Sequence, residues 1–337
     1  MQLPRTCAQL DDLLSTPTEG VIEALRQCPG EIAVLGAAGK MGFHVSRMLQ
    51  KAVRALDRSD KIRTVSRFSS PASRDKFEQA GFEVVAADLS DPDQVSNLAP
   101  AENVFFLAGM KFGTANDPDL LHQMNVVMPG LVADHFSESR IVALSTGCVY
   151  AFCKPESGGS TEDCPTAPPG EYAVSCLGRE EAFRKSGAKT ALIRLNYSID
   201  LRYGVLVDIA QKVRTGQPVP VETGYVNVIW QGDAVAHTIQ SLSFAESPPF
   251  LLNVTGPGVL RVRDLATAFG EKFGREPVFE GEEAPTAWLS NAAKSHNLFG
   301  EPPVSLETMI DLIARWLESG GELLDKPTHF ENREGKY

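Results

Sequence analysis

The 337-residue chain predicts an α/β fold, a doubly wound parallel sheet with a smaller C-terminal lobe. Three observations lead there. From Glu31 to Asp200, short apolar runs alternate with amphipathic stretches, as strands alternate with helices in such sheets. The first run, Ile32 to Leu35, is apolar throughout, which suits a strand covered on both faces. It leads at once into GAAGKMG, with Gly36, Gly39 and Gly42 at three-residue spacing, and then into the amphipathic pattern of Phe43, Val45, Met48 and Leu49.

Each glycine has its own physical reason. The first permits a tight turn off the strand, the second lets backbone approach a pyrophosphate, and the third lets the helix pack closely on the sheet. The free N–H groups at the helix start then face the phosphates. The spacing is GxxGxxG, whereas GxGxxG is usual in simple dinucleotide folds. Its position between strand and helix is the context that makes it a cofactor loop, and the sheet a Rossmann-type one.

Composition narrows the function classes. Hydrophobic residues at 43% and charged residues at 22% are ordinary for a globular protein. The length allows one large or two modest domains with a full core. Lys+Arg 32 against Asp+Glu 43 leaves a net charge of -11 without a basic cluster, so nucleic acid is not an expected partner. No apolar run reaches the ~20 residues of a membrane span, and the N-terminus has no signal-peptide core, so no membrane partner and a cytoplasmic location are expected. Cys7, Cys28, Cys148, Cys153, Cys164 and Cys176 form no CxxC pair. Their irregular spacing, without a histidine nearby, argues against a metal site and for free thiols.

The elements divide the chain into an N-terminal helical extension (1–30), a dinucleotide-binding domain (31–200) to which segments near 225–255 return, and a substrate lobe (201–224 and 256–337). In the extension, Thr16-Pro17-Thr18-Glu19 reads as a capping box opening a helix through about Gln27. The extension either packs against the domain edge or merely decorates it. A second strand, Lys61 to Arg67, ends in Ser66-Arg67, without the acid that binds a ribose 2′-OH in NAD-preferring folds. A guanidinium there welcomes a 2′-phosphate, so NADP is favoured over NAD, unless Arg67 is simply solvated.

A helix from Ser73 to Ala80 leads to the third strand, Phe82 to Ala87, followed by Asp88-Leu89. The fourth strand, Asn103 to Leu107, runs into Ala108-Gly109-Met110-Lys111. A helix from Pro118 to Phe136 carries Asn125, and the fifth strand, Arg140 to Leu144, runs into STGCVY. Ligands of such sheets sit beyond the carboxyl ends of the strands, so Gly36, Ser66, Asp88, Ala108 and Thr146 should line one crevice. The Pro-, Gly- and Ser-rich loop from Ala151 to Gly170 is expected to cover it. EYAVSC then opens a helix to about Lys185, and the sixth strand is Thr190 to Leu195. Beyond Asp200 the pattern predicts a helix (Val205 to Arg214), a strand near Tyr225 to Ile229, a helix from Asp233 and a strand from Phe250 to Val254. A helix from Val262, a strand near Pro277 to Phe279 and a long helix from Ser305 to Glu318 follow.

With these residues placed, the chain resembles the extended short-chain dehydrogenase/reductase superfamily, specifically its NAD(P)-dependent epimerase/dehydratase family, over roughly residues 31–315. The motifs that carry the resemblance are GAAGKMG (36–42), Asp88-Leu89, LAGMK (107–111), STGCVY (145–150) and the tyrosine opening the next helix. The resemblance implies hydride transfer on a sugar or sugar-derived substrate, and a possible homodimer. It implies that Gly36, Gly39 and Gly42, with Lys40 and Met41 between them, hold the pyrophosphate, and that Asp88 and Leu89 hold the adenine. Leu107, Ala108 and Gly109 would back the nicotinamide, with Lys111 and Asn125 nearby. Thr146 would polarise the substrate oxygen and Tyr172 would be the acid/base; Asn196 and Tyr197 are expected to meet the substrate, and Arg202, with Arg214, Asn227 and Trp230, is a further candidate to line its pocket.

Three departures bear on chemistry. The family's Tyr-x-x-x-Lys is here Tyr172 and Cys176, so a thiol holds the lysine's place on the helix face. The arginine that grips a nucleotide-sugar diphosphate falls at about Val226, which points to a smaller sugar, sugar acid or polyol derivative. Arg194 is followed by Asn196 and Tyr197, with tyrosine at the expected asparagine position. An ammonium ~4 Å from a phenol at an effective dielectric of ~20 is worth roughly 4 kcal/mol, or about three pKa units. Without it, oxidation, which needs tyrosinate, suffers more than carbonyl reduction, which needs only the neutral phenol. Lys111 or the positive nicotinamide ring are candidate replacements. Cys176 reads as a thiol able to act near the cofactor or as a small apolar filler. Thr146 also suits a turn cap, and Tyr172 packing, but their joint position after strand five and on the next helix favours the functional reading. The competing function is a dinucleotide-binding sensor with this fold and no turnover.

Overall fold

The computed structural model describes residues 3–111, 117–326 and 328–333. Seven parallel strands form its central sheet: β1 Ile32–Leu35, β2 Ile62–Ser66, β3 Glu83–Ala86, β4 Asn103–Phe106, β5 Arg140–Thr146, β6 Lys189–Leu195 and β7 Phe250–Val254. Their order is β7-β6-β5-β4-β1-β2-β3, so the chain reverses direction across the sheet between β1 and β4. Ile32 stands level with Ile62 on one side and with Asn103 on the other.

Strand alternation builds a core on each face. Val34, Phe105, Val142, Ile193 and Leu252 point to one side. There they pack under α2 (Glu19–Gln27), α3 (Gly42–Ala55) and α10 (Gln231–Gln240). Ala33, Leu35, Val104, Phe106, Ile141, Ala143 and Leu192 point to the other. That side is covered by α5 (Pro92–Ser96), α7 (Met128–His135) and α8 (Glu171–Ser186), while α4 (Pro71–Gln79) joins β2 to β3. A third core belongs to the lobe, where α1 (Cys7–Leu13), α9 (Val205–Thr215), α11 (Val262–Phe273) and α13 (Leu306–Glu318) bury Leu10, Ile209, Phe269, Ile313 and Trp316 together. β7 returns from the lobe to the edge of the main sheet, paired along β6 from Phe250 to Val254.

The structure departs from the sequence reading at short or interrupted elements. α1, α5 and α12 (Ala293–Phe299) have seven, five and seven residues, too few to show a periodic stripe. The cap of α2 is Thr18, whose hydroxyl accepts from the Val21 N–H at 3.3 Å, and not Thr16. Thr16 instead donates its hydroxyl to the Asp12 carbonyl and finishes α1. The expected helix from Pro118 to Phe136 is α6 (Pro118–His122), a π turn (Gln123–Val127) and α7. Pro129 has no N–H to offer the Asn125 carbonyl one turn back, which loosens the backbone there. The expected strand near 225–229 is two: Tyr225–Val226 runs antiparallel to Leu260–Arg261, and Ile229–Trp230 parallel to Ser198–Ile199. Among the described residues no helix is long and apolar enough to cross a membrane.

The N-terminal extension is not a decoration. Val21 and Leu25 are buried in the sheet core, and Leu10 and Leu14 in the lobe core. Between them the Asp11 carboxylate accepts from His44 Nε2 at 2.8 Å and Lys76 Nζ at 2.7 Å, and pairs with Arg202 Nη1 at 2.9 Å. His44 Nδ1 in turn accepts from Gln231 at 2.8 Å. Burial alone would raise the Asp11 carboxyl, but the hydrogen bonds of His44 and Lys76 and the charges of Lys76 and Arg202 reverse this and hold it well below the usual carboxylate range.

Removing one partner of such a buried cluster strands the others. Asp11→Asn is expected to cost about 3–5 kcal/mol at neutral pH, read by urea denaturation. A lowered native pKa stabilises the fold above the unfolded value and loses that contribution on acidification. The gap between wild type and variant should therefore shrink as the pH falls below about 4.

Candidate functional site

At the carboxyl ends of β1, β2, β4 and β5 two cavities adjoin, sharing Gly36, Gly39 and Leu107 in their walls. Gly36 has φ +80, and a Cβ added to it would lie 2.6 Å from the backbone nitrogen of Ala108. The turn after β1 is thus pressed against the loop after β4. A Cβ on Gly42 would strike the Ala37 carbonyl, so the start of α3 sits directly on the turn. Gly39 meets only the Gly36 carbonyl, at 3.1 Å, and lines both cavities. Met41, which precedes α3, gives it no side-chain cap. Bare backbone and an uncapped helix start are what a pyrophosphate requires.

The second cavity, ≈ 360 Å³, is lined by Ser66, Arg67, Ser69, Ser70 and Ser73 beyond β2. Asp88 and Leu89 beyond β3, and Ala108 and Gly109 beyond β4, also line it. The Asp88 carboxylate accepts from the backbone N–H and hydroxyl of Ser90 at 2.9 and 2.7 Å, which lowers it below its ordinary range. One guanidinium and four serines at the end of β2 suit a 2′-phosphate.

The first cavity, ≈ 290 Å³, holds Lys40, Met41 and Gly42 on the glycine-loop side, with Lys111, Thr146, Cys148 and Tyr172. Asn196, Tyr197, Ser198 and Tyr203 come from the lobe side. Lys40 Nζ reaches across to the Ser198 carbonyl at 3.3 Å and lies 3.8 Å from the centre of the Tyr203 ring. Two lysines and no carboxylate stand among the lining residues, and burial lowers both, Lys40 to about 7, so an anion in the cavity would restore the charge that burial costs them. The Thr146 hydroxyl oxygen accepts from the Cys148 N–H at 3.2 Å, as a turn cap does, and its proton stays available to donate. Burial drives the Tyr172 phenol well above its ordinary range; the Cys176 and Cys148 thiols push the same way, and the Arg179 charge opposes them. Lys111 Nζ lies 5.9 Å from the centre of the Tyr172 ring, and burial lowers its own pKa.

Gly36, Gly39, Lys40, Met41, Gly42, Ser66, Arg67, Asp88, Leu89, Leu107, Ala108, Gly109, Lys111, Thr146, Tyr172, Asn196 and Tyr197 all face one cavity or the other. Three expected residues do not. Cys176 is fully buried with Val149 and Tyr150, in contact with Tyr172 but lining neither cavity, and burial raises its thiol. Asn125, also fully buried, accepts from the Met110 N–H at 2.9 Å and donates to the Met110 carbonyl at 2.8 Å. It positions the loop that carries Lys111 and does not touch the cavity. Arg202 is turned away into its ion pairs with Asp200 and Asp11. The loop 151–170 lines neither cavity; bridges from Cys153 to Ala287 and from Ser160 to Ser290 pin it to the lobe.

The sequence reading singled out Arg194 beneath the site and passed over its partner Glu180. Glu180, 1% exposed, accepts from the Ser145 hydroxyl at 2.6 Å and from Arg194 at 2.7 and 2.9 Å. Arg194 also donates to the Tyr150 hydroxyl, which donates to Asn253 at 2.9 Å. This network fastens α8 to the end of β5 and so fixes Tyr172 relative to Thr146. The signal was adjacent charges, Arg179-Glu180, two turns beyond Tyr172 on a helix face that must be buried.

The model of the NAD dependent epimerase/dehydratase family matches residues 32–197. A UDP-glucose 4-epimerase of Azospirillum brasilense is 30% identical over 212 residues, 59% of this chain. The chain spans just over half (56%) of the length of that relative. Among solved structures, a Thermus thermophilus UDP-glucose 4-epimerase with NAD is 19% identical with a TM-score of 0.68, covering 86% of this chain and 99% of that one. A dTDP-glucose 4,6-dehydratase of Streptomyces venezuelae with NAD bound is 16% identical with a TM-score of 0.73, covering 86% and 97%. At these identities the structural likeness concerns the fold.

The glycines separate stability from binding. Gly36→Ala should cost about 1–3 kcal/mol of stability, since both φ and the Ala108 backbone forbid a side chain, and should abolish dinucleotide binding. Gly39→Ala should melt like wild type yet bind dinucleotide at least about tenfold more weakly, by calorimetry.

Proposed function

We propose that the chain, whose residues 32–197 match the model of the NAD dependent epimerase/dehydratase family, is a nicotinamide-dependent oxidoreductase or epimerase acting on a small sugar-type substrate. The observation that carries the reading is that Thr146 and Tyr172 line the same cavity as Gly36 and Gly39. When bound, the dinucleotide supplies or accepts the hydride. Gly36, Gly39 and the start of α3 would hold its pyrophosphate, and Asp88 and Leu89 its adenine. Arg67 with the serines beyond β2 favours NADP over NAD.

Thr146 donates a hydrogen bond to the reacting substrate oxygen and Tyr172 gives it a proton. A phenol raised by burial is fully protonated at neutral pH, which suits carbonyl reduction; the reverse reaction needs its base form. Lys111 stands on the cavity side of the ring, with its proton held less firmly because burial lowers its pKa. Val226, fully buried and paired with Leu260 where the family's arginine falls, offers a nucleotide diphosphate no partner. A cavity of ≈ 290 Å³ is at the small end for a ligand site, and a sugar acid or another anionic sugar derivative would restore the protons that burial loosens on its two lysines.

The competing reading, a sensor without turnover, draws on one observation: a buried thiol stands where the family has lysine. Stereospecific exchange of the nicotinamide hydrogen with a panel of sugars and sugar acids separates the two. Tight cofactor binding with no exchange favours the sensor.

If the enzyme reading holds, reduction is flat through neutral pH, while oxidation rises about tenfold per pH unit through the neutral and mildly alkaline range. Tyr172→Phe should lose at least about a hundredfold in either direction. Arg67→Ala should weaken NADPH binding about ten- to a hundredfold and leave NADH binding nearly unchanged.

A further inference from the structure

The tyrosine of this helix lacks its lysine four residues on, but the same helix carries another cation. Residues i, i+4 and i+7 share one face of a helix, so Tyr172, Cys176 and Arg179 lie in one row of α8. Long helical side chains lean toward the N-terminus. From Arg179 that direction leads past Cys176, whose thiol occupies far less volume than a lysine side chain.

The guanidinium does not reach solvent: Arg179 is 6% exposed. Its Nη1 donates to the Leu144 carbonyl at 2.9 Å, at the end of β5, and its Nη2 to Asn125 Oδ1 at 2.7 Å. Its Nε has no hydrogen-bond partner. The same Asn125 donates to the Ser175 hydroxyl, next to Cys176, at 2.9 Å. A Cβ on Gly109 would collide with Nη2, so the guanidinium lies immediately beneath the loop that floors the cofactor cavity. No salt bridge joins it to a carboxylate among the described residues, and the adjacent Glu180 is taken by Arg194. A buried cation without a counter-ion therefore projects its field along the row that ends at Tyr172. Arginine keeps its charge where a partly buried lysine such as Lys111, lowered by desolvation, is prone to lose it.

We propose that Arg179 takes the place of the missing lysine as a positioning residue, its charge relocated one turn along α8 to keep Tyr172 able to release and recover a proton. The inference rests on the proposed acid–base role of Tyr172. The titratable and charged groups that act on the phenol are Cys176, Cys148, Lys111 and Arg179, and Arg179, fixed by two hydrogen bonds one row along α8, keeps its charge at every working pH.

The test is a relocation. Arg179→Met should slow oxidation at least about tenfold and move the alkaline midpoint of its pH profile up by about one pH unit. Arg179→Lys should restore part of the rate. Adding Cys176→Lys to Arg179→Met should bring the midpoint back, because the charge then returns to the family position. If Arg179→Met does not fold, Arg179→Gln, polar and uncharged, serves in its place. A purely structural arginine would lower the melting temperature, leave the midpoint unmoved and gain nothing from Cys176→Lys; that result overturns the proposal.

A readout without turnover keeps the two readings apart. Protein carrying 3-fluorotyrosine, whose phenol is more acidic, is titrated by fluorine NMR with the Tyr172 signal assigned from Tyr172→Phe. A higher midpoint in Arg179→Met than in wild type supports the proposal even in a protein that exchanges no hydride, which would sink only the enzyme reading. Equal midpoints, or a signal that titrates in neither form, overturn it.

Discussion

The backbone contact between the turn after β1 and the loop after β4 is the constraint on which the site depends. Gly36 fits against Ala108 only because it has no side chain, and Gly42 against Ala37 for the same reason. These two contacts hold α3 close to the sheet where the strand order reverses, which is where open parallel sheets bind ligands. Both cavities are the space left on either side of this pinch.

The substrate half of the site is held from further away. Ser198 and Tyr203 line the first cavity, and between them Asp200 and Arg202 lock together at 2.7 Å. Arg202 is also bound by Asp11, which binds His44 and Lys76 on the dinucleotide side. The N-terminal extension thus ties the lobe segment 198–203 to α3 and α4, across the crevice. A residue placed among substrate contacts by its position in the chain fixes instead the distance between the two halves.

Under Tyr172 two opposing influences meet. Burial makes every ionised phenol costly, and the neighbouring thiols add nothing that offsets it. The compensating charges lie along α8, where Arg179 is held by neutral acceptors and Glu180 is held by Arg194 and Ser145. Separating these two neighbours into different partnerships leaves a positive field on the tyrosine row and a neutralised pair against the sheet.

The sequence by itself determined the alternation of strands and helices, the glycine turn and the ends of the strands, because short-range sterics and apolar periodicity decide these. It also determined that Gly36, Ser66, Asp88, Ala108 and Thr146 would share one edge of the sheet, since chain position after a parallel strand dictates that edge, while Tyr172 was added to them only by the family resemblance. The tertiary structure alone decided where the charges went. Asp11 meets Arg202 across 191 residues, Arg194 turns inward to Glu180, and Arg179 and Asn125 are brought together from separate helices. A charged side chain shows no periodicity that names its partner, and only packing assigns it one. The same holds for Cys176: its place on the helix was legible, and its burial behind Tyr172 was not, because burial is a property of what the rest of the chain brings against it.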